Sequence, residues 1–108
     1  MTTEQHQTYV YVGLAGEGAN IGSGGLYRKI DGVGDWENIS EGLPPEPNVR
    51  ALLVHPQKPN LVYAGTQEGV YRSQDHGDHW EALQSPGTDL DTWSLAFHPH
   101  NPDIIYAG

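Results

Sequence analysis

The apolar residues of this chain occur in short runs rather than in helical stripes. Each run holds four to six residues, is rich in Val, Ile, Leu, Tyr and Trp, and is bounded by Gly, Pro, Asn or Asp. Such punctuation is typical of β-strands joined by tight turns. No window carries the i, i+3, i+4, i+7 spacing of an amphipathic helix. The pattern therefore predicts an all-β chain.

Two of these runs, Ala51–Val54 and Ile104–Ala107, are apolar at consecutive positions. A strand with one face in water would instead alternate apolar and polar residues. The uninterrupted runs predict strands that are covered on both faces, as in sheets stacked one on another.

The chain also repeats itself. Residues 49–65 align without gaps on residues 92–108, a shift of 43 residues, with seven of seventeen positions identical. Residues 25–37 align on residues 69–81, a shift of 44 residues, with six of thirteen identical. A period of this length, combined with strand-like runs, matches one four-stranded blade of a β-propeller.

A weaker echo extends the repeat toward the N-terminus. Tyr11–Gly13 resembles Tyr63–Gly65 at a shift of 52 residues, and the extra residues lie in a Gly-rich insertion, 14–24. The predicted strands are 9–13, 25–29, 36–39, 49–54, 61–65, 69–73, 80–83, 93–97 and 104–108. They divide into a blade without its innermost strand (9–44), a complete blade (45–88) and the first two strands of a third (89–108). The sequence thus predicts about two and a quarter blades in a single partial propeller.

Composition narrows the choice of partners. The 108 residues include fourteen Asp and Glu against five Lys and Arg, a formal net charge of −9, and no Cys. An acidic chain lacks the basic surface that nucleic acid or anionic lipid requires, and without thiols no disulfide or thiolate metal site can form. The N-terminus has no basic segment followed by an apolar run, so we expect no signal peptide and, by default, a cytoplasmic protein.

One eight-residue segment is more specific than the rest. Residues 73–80 read Ser-Gln-Asp-His-Gly-Asp-His-Trp and fit the pattern S-x-D-x-G-x-x-W. A short carboxylate such as Asp75 can accept backbone N–H groups within its own turn. Ser73 adds a hydroxyl, Gly77 tolerates a positive φ, and Trp80 can bury a large apolar face.

A weaker copy of the segment lies one repeat earlier. It keeps Asp31 and Trp36 but has Lys29 and Val33 where Ser and Gly are expected, which predicts a distorted turn. On these two copies, each preceded by Gly-x-Tyr-Arg, the chain resembles the BNR/Asp-box β-propeller family of sialidases, sortilin-like receptors, some endoglucanases and photosystem II assembly factors. The resemblance implies that the box residues, Asp75 included, are structural and not catalytic.

In propellers of this family, ligands bind near the axis on the side that carries the second-to-third and fourth-to-first strand loops. The resemblance therefore implies a candidate ligand face. Its polar residues would be Glu17, Asn20, Glu46, Glu68, Asp89 and Asp91. Nothing in their spacing shows the pair of carboxylates that glycoside hydrolysis needs.

Two enzymatic relatives can be compared residue by residue. Sialidases use three arginines on one carboxylate, whereas Arg28 and Arg72 are repeat-equivalent here and are not expected to converge. Endoglucanases of the family carry a catalytic Asp after the second strand, where this chain has Thr66-Gln67-Glu68-Gly69. We expect no catalytic residue in this chain, although part of a carbohydrate-active enzyme with its catalytic residues in other blades stays an alternative.

The histidines allow a metal hypothesis that the repeat disfavours. His55 and His98 precede equivalent prolines in successive units, so each would sit in its own blade. We therefore expect no metal site and no cofactor. Two and a quarter blades leave edges and faces bare, so we expect a fragment of a longer propeller or copies that associate into a ring. The expected function is a non-catalytic scaffold or binding module for a protein or carbohydrate ligand.

Overall fold

A computed structural model describes residues 8–14, 25–44, 47–83, 92 and 94–108, and it confirms the all-β prediction. Nine strands form three antiparallel sheets, none of which closes on itself within the described residues. The strands are β1 (Tyr9–Leu14), β2 (Gly25–Ile30), β3 (Val33–Asn38), β4 (Ala51–Val54), β5 (Val62–Thr66), β6 (Gly69–Ser73), β7 (Glu81–Ala82), β8 (Leu95–His98) and β9 (Asn101–Ala107). The described part of the chain contains no helix that is long and apolar enough to cross a membrane.

The three sheets follow one another along the chain. We call β1–β2–β3 the first sheet, β4–β5–β6–β7 the middle sheet and β8–β9 the third sheet. In each sheet neighbouring strands are consecutive in sequence, so every connection is a hairpin-type link.

The repeat seen in the sequence is a repeat of strand register. Leu52 pairs with Ala64 in the middle sheet, and the equivalent Leu95 pairs with Ala107 in the third sheet. Likewise Arg72 pairs with Glu81 as Arg28 pairs with Glu37. Because register decides which face of a sheet each side chain occupies, equivalent residues of the three sheets face the same way.

The strand ends differ from the predicted ones by at most three residues, and the largest differences are at the starts of β3 and β9, each three residues earlier than predicted. Strand β3 begins at Val33 because β2 and β3 join through a two-residue turn at Asp31–Gly32. Irregular pairing between Arg28 and Ile30 accommodates the longer strand.

The apolar core lies between the first and middle sheets. Leu26 comes from the first sheet, Val62 and Ala64 from the middle sheet, and all three are fully buried. Ile39, Val49 and Trp80 complete the buried cluster from the segments that connect the strands. At roughly 1.5–3 kcal/mol for each large apolar side chain, this burial is the main force that joins the two sheets.

Candidate functional site

The Ser73–Trp80 turn links β6 to β7, two adjacent antiparallel strands, as the sequence predicts. The Ser73 hydroxyl accepts hydrogen bonds from the backbone N–H groups of Gly77 (2.7 Å) and Asp75 (3.3 Å) and donates to Asp75 Oδ1 (2.7 Å). Asp75 Oδ1 also accepts the backbone N–H of His79 at 3.0 Å. Gly77 adopts a φ of 95°. The carboxylate and hydroxyl are therefore occupied in closing the turn.

One carbonyl group of the turn binds two side chains of the first sheet. His76 adopts a φ of 61°, and its carbonyl oxygen accepts hydrogen bonds from Arg28 Nη1 (2.7 Å) and from the Tyr11 hydroxyl (3.1 Å). Burial raises the pKa of Tyr11 to about 12, so its hydroxyl stays a donor even in moderately alkaline solution. The ring of His76 stacks on Tyr9 with the ring centroids 4.6 Å apart.

Arg28 is the centre of this contact. Its side chain is buried, and its Nε and Nη2 donate to Glu37 Oε1 at 2.9 and 2.6 Å while Nη1 pairs with Asp78 at 2.8 Å. The repeat-equivalent Arg72 pairs with Glu81 in the same way but is more exposed. Arg28 thus differs from Arg72 because the turn of the next repeat lies against it.

Trp80 fixes the far end of the turn. Its indole N–H donates to the carbonyl oxygen of Ile39 at 2.8 Å, and its backbone N–H donates to the carbonyl oxygen of Glu41 at 3.0 Å. The side chain is only 6% exposed. The segment that leaves the first sheet is therefore bound directly to the turn of the middle sheet.

The Asp75–His79 pair carries the clearest electrostatic shifts. Burial alone would raise the pKa of Asp75, but hydrogen bonds from His79 and Ser73 outweigh it and lower the pKa to about 2. Hydrogen bonding to Asp75, with further attraction from Glu41, raises the pKa of the exposed His79. The stabilisation that the charged pair contributes is fully present above the ordinary pKa of Asp75 and below that of His79, from about pH 4 to about pH 6.5.

This pair gives a direct titration experiment. The pKa of His79, followed by the NMR shifts of its ring, is expected to lie above its ordinary value and to move back toward it in the Asp75→Asn variant, because Asp75 is its hydrogen-bond partner. The contribution of protonated His79 to stability is present below about pH 6.5 and disappears as the pH rises through the higher folded-state pKa. A His79 titration that is unchanged by Asp75→Asn would contradict the pairing.

A second built contact joins the middle and third sheets. The ring of His55 is buried, and its Nδ1 accepts the backbone N–H groups of Gln57 and Lys58, each at 3.1 Å. With Nδ1 acting as an acceptor, Nε2 carries the proton, and Nε2 lies 3.1 Å from Asp103 Oδ1 in the third sheet. Phe97 packs edge-on against the same ring. His55 thus links the middle sheet to the third sheet.

The equivalent histidines make a matched pair for stability measurements. His55→Ala is expected to cost about 1–3 kcal/mol, because two backbone N–H groups lose the acceptor that the buried ring supplies and the exposed Asp103 carboxylate loses its partner. His98→Ala is expected to cost less than half of that, since His98 is half-buried and its ring accepts a single hydrogen bond within the described residues, from the N–H of His100. If urea unfolding gives the same loss of unfolding free energy for both variants, the contact between His55 and Asp103 adds nothing to stability.

An open polar cavity of about 230 Å³ lies beside the Ser73–Trp80 turn. Its walls come from Arg72, Gln74, Asp75, His79, Trp80 and Glu81. Most of these side chains already bond to one another, as Gln74 does to Glu81. Among the described residues, no group of three or more His, Asp or Glu side chains is arranged to hold a metal ion.

The predicted ligand face is described at one position only. Glu17, Asn20, Glu46, Asp89 and Asp91 lie outside the described residues. Glu68 is exposed in the turn between β5 and β6, where its N–H donates to the Thr66 hydroxyl at 3.1 Å.

The first copy of the eight-residue motif does not form the same turn, since only Asp31 and Gly32 lie between β2 and β3. Asp31 is exposed in the two-residue turn, and Trp36 lies within β3 and is 47% exposed, against 6% for Trp80. With Lys29 in place of Ser73, the hydroxyl that binds the turn's N–H groups in the second copy is missing. The chain instead continues the β2–β3 ladder.

For three of the residues that build these contacts, the sequence did not predict a contact between sheets. Tyr11 and Arg28 bind the turn of the next repeat, and Asp103 binds His55 of the preceding one. Arg28 recurs as Arg72, but a recurring residue alone does not reveal which copy meets a partner. The signal for Asp103 was weaker still, because its equivalent in the middle sheet is Asn60.

Apolar residues also line an open groove of about 390 Å³ on the outer side of the first sheet, formed by Val12, Leu14, Tyr27 and Trp36.

No family model, no curated protein and no solved structure matches this chain. Its function must therefore be inferred from the contacts described above.

Proposed function

We propose that this chain is a segment of an Asp-box β-propeller and acts as a non-catalytic scaffold and binding module. In this proposal the three sheets are successive blades, and the loops between them present the surface that binds a protein or carbohydrate. The single observation that carries the proposal is that the same inter-sheet contact occurs twice.

The repeated contact involves backbone and side chains alike. Where the chain enters the middle sheet, the N–H of Val49 donates to Leu14 at the end of β1 (3.3 Å). Where it enters the third sheet, the N–H of Thr92 donates to Thr66 at the end of β5 (2.9 Å). The recurrence of this contact between successive units supports a regular array, and a rotation repeated about one axis is what a propeller consists of.

Glycine is required at the centre of this contact in both places. A Cβ on Gly13 would lie 2.5 Å from Val49 Cγ1, and a Cβ on Gly65 would lie 2.9 Å from Thr92 Cγ2. Both separations are too short for real carbon atoms. The Tyr-x-Gly motif of the repeat is thus explained by the approach of the next sheet, which supports the blade interpretation.

The non-catalytic part of the proposal is supported by how the reactive side chains are used. Asp75 closes a turn, His55 joins two sheets, and Arg28 binds a backbone carbonyl and two carboxylates. A general acid or base needs a proton that it can exchange with substrate. Each of these groups instead already has hydrogen-bond or ion-pair partners within the fold.

An experimental structure together with an activity assay tests the proposal. The structure is expected to show the middle and third sheets related to their predecessors by the same rotation about one axis. Purified chain is expected to release no sugar from a panel of aryl glycosides and polysaccharides, while a glycan array or a protein pull-down reports binding. Unequal rotations would exclude the propeller, and hydrolysis that survives repurification would favour the carbohydrate-active alternative.

A further inference from the structure

Each sheet of this chain has two distinct faces. We call the front face of the middle sheet the one that carries Tyr63 and Gly65, and its back face the one that carries Val62 and Ala64. The front face packs against the third sheet, where Tyr63 meets Phe97 with ring centroids 6.2 Å apart. The back face packs against Leu26 of the first sheet. The sheets are therefore joined front to back.

The register of the repeat extends these names to the outer sheets. In the first sheet, Tyr11 and Gly13 are the equivalents of Tyr63 and Gly65, so its front face is the one that meets the middle sheet. In the third sheet, Phe97 is on the back face, which also meets the middle sheet. Both internal interfaces use one front face and one back face.

Two faces stay uncovered by the described residues, and both are apolar. The back face of the first sheet exposes Val10, Val12, Leu14 and Trp36 at 38, 37, 46 and 47%. The front face of the third sheet exposes Ile104 at 43% and Tyr106 at 56%. Tyr106 occupies the register position of Tyr63, which is only 8% exposed because the next sheet covers it.

We propose that a second copy of this chain places the back face of its first sheet on the front face of this chain's third sheet. This inference rests on the proposed function, since it continues the same front-to-back stacking across a chain boundary. The groove lined by Val12, Leu14, Tyr27 and Trp36 would take up Tyr106, as the back face of the middle sheet takes up Tyr11 of the first sheet.

The second copy is the occupant that the chain itself specifies. The front-to-back stacking of the described sheets leaves one front face and one back face uncovered by described residues at opposite ends, so one copy supplies what the other lacks. Such a contact is heterologous, and it builds a ring when the rotation closes or an open array when it does not. A symmetric back-to-back pair would instead leave the front face with Tyr106 bare.

Two charged double variants separate these possibilities. In the back-blocked variant, Val12→Lys and Trp36→Lys place charge on the first sheet; in the front-blocked variant, Ile104→Lys and Tyr106→Lys place charge on the third sheet. A control variant, Gln57→Lys with Gln74→Lys, adds the same charge at two exposed positions away from both faces. Molar mass is measured by light scattering over a wide range of concentrations, and folding of each variant is checked by circular dichroism.

The parent chain and the control are expected to form oligomers, and each blocked variant alone is expected to be monomeric. Mixed together, the blocked variants are expected to form a complex of twice the monomer mass, because one keeps a free front and the other a free back. This complementation also shows that both variants fold. A monomeric parent, a front-blocked variant that still self-associates, or a mixture without a complex would overturn the inference. If one of these results is obtained while the experimental structure shows equal rotations between the sheets, the association of copies is excluded and the proposed function stands.

Discussion

Trp80→Ala is expected to lower the free energy of unfolding by about 3–5 kcal/mol, the range for removing a buried aromatic side chain. The indole is 6% exposed and packs with Leu26, Ile39 and Val62 in the core between the first and middle sheets. The substitution leaves a cavity there and removes the hydrogen-bond donor of the Ile39 carbonyl, which is 2.8 Å from the indole nitrogen. Urea unfolding followed by far-ultraviolet circular dichroism, at one protein concentration, measures the loss.

The repeat provides the control for this experiment. Trp36 occupies the equivalent sequence position but is 47% exposed, so Trp36→Ala is expected to cost about 1 kcal/mol or less, as is usual for surface positions, when both tryptophan substitutions are compared in the monomeric front-blocked variant. Equal losses for the two tryptophans would show that the first copy of the motif forms the same buried turn as the second.

Gly42→Ala is expected to destabilise the fold by about 2–4 kcal/mol. Gly42 has a φ of 95°, where an L-residue is strained by roughly 1–2 kcal/mol. A Cβ at this position would also overlap the backbone carbonyl group of Trp80, and relieving an overlap in a packed region costs about 1–3 kcal/mol more. Because the obstacle is backbone, the clash cannot be removed by rotating a side chain.

Gly32→Ala separates the two contributions. Gly32 also has a positive φ, 79°, but nothing lies within 4 Å of the position that a Cβ would take. Its replacement is therefore expected to cost only the backbone strain, about 1–2 kcal/mol. Urea unfolding of both variants checks the prediction, which would be contradicted if Gly42→Ala were no worse than Gly32→Ala.

Both large effects concern one short connection. The segment after β3 places the Ile39 and Glu41 carbonyls on Trp80 and brings Gly42 against the backbone of the same residue. Arg28 and Tyr11 bind the other end of the turn. A turn held at both ends fixes how one sheet sits on the next.

The amino-acid sequence was enough to predict the strands and to show which of them are equivalent between the repeated units. Short apolar runs separated by turn residues predicted nine strands, and the recurrence of Tyr63-Ala-Gly65 as Tyr106-Ala-Gly108 predicted the shared register that the structure shows. The Ser73–Trp80 motif predicted its own turn, because the hydrogen bonds that Ser73 and Asp75 make to close it all lie within these eight residues. Local patterns suffice where the interactions themselves are local.

Only the tertiary structure decided which copies of a repeated residue matter. Arg28 and Arg72, His55 and His98, or Trp36 and Trp80 are nearly interchangeable in sequence, yet one member of each pair is bound or buried by an adjacent sheet and the other is more exposed. A residue in a repeat gains its partner from the neighbouring unit, and the sequence around it is the same whether or not that neighbour is in contact. Burial and bonding between units depend on packing at a distance, which a local pattern does not contain.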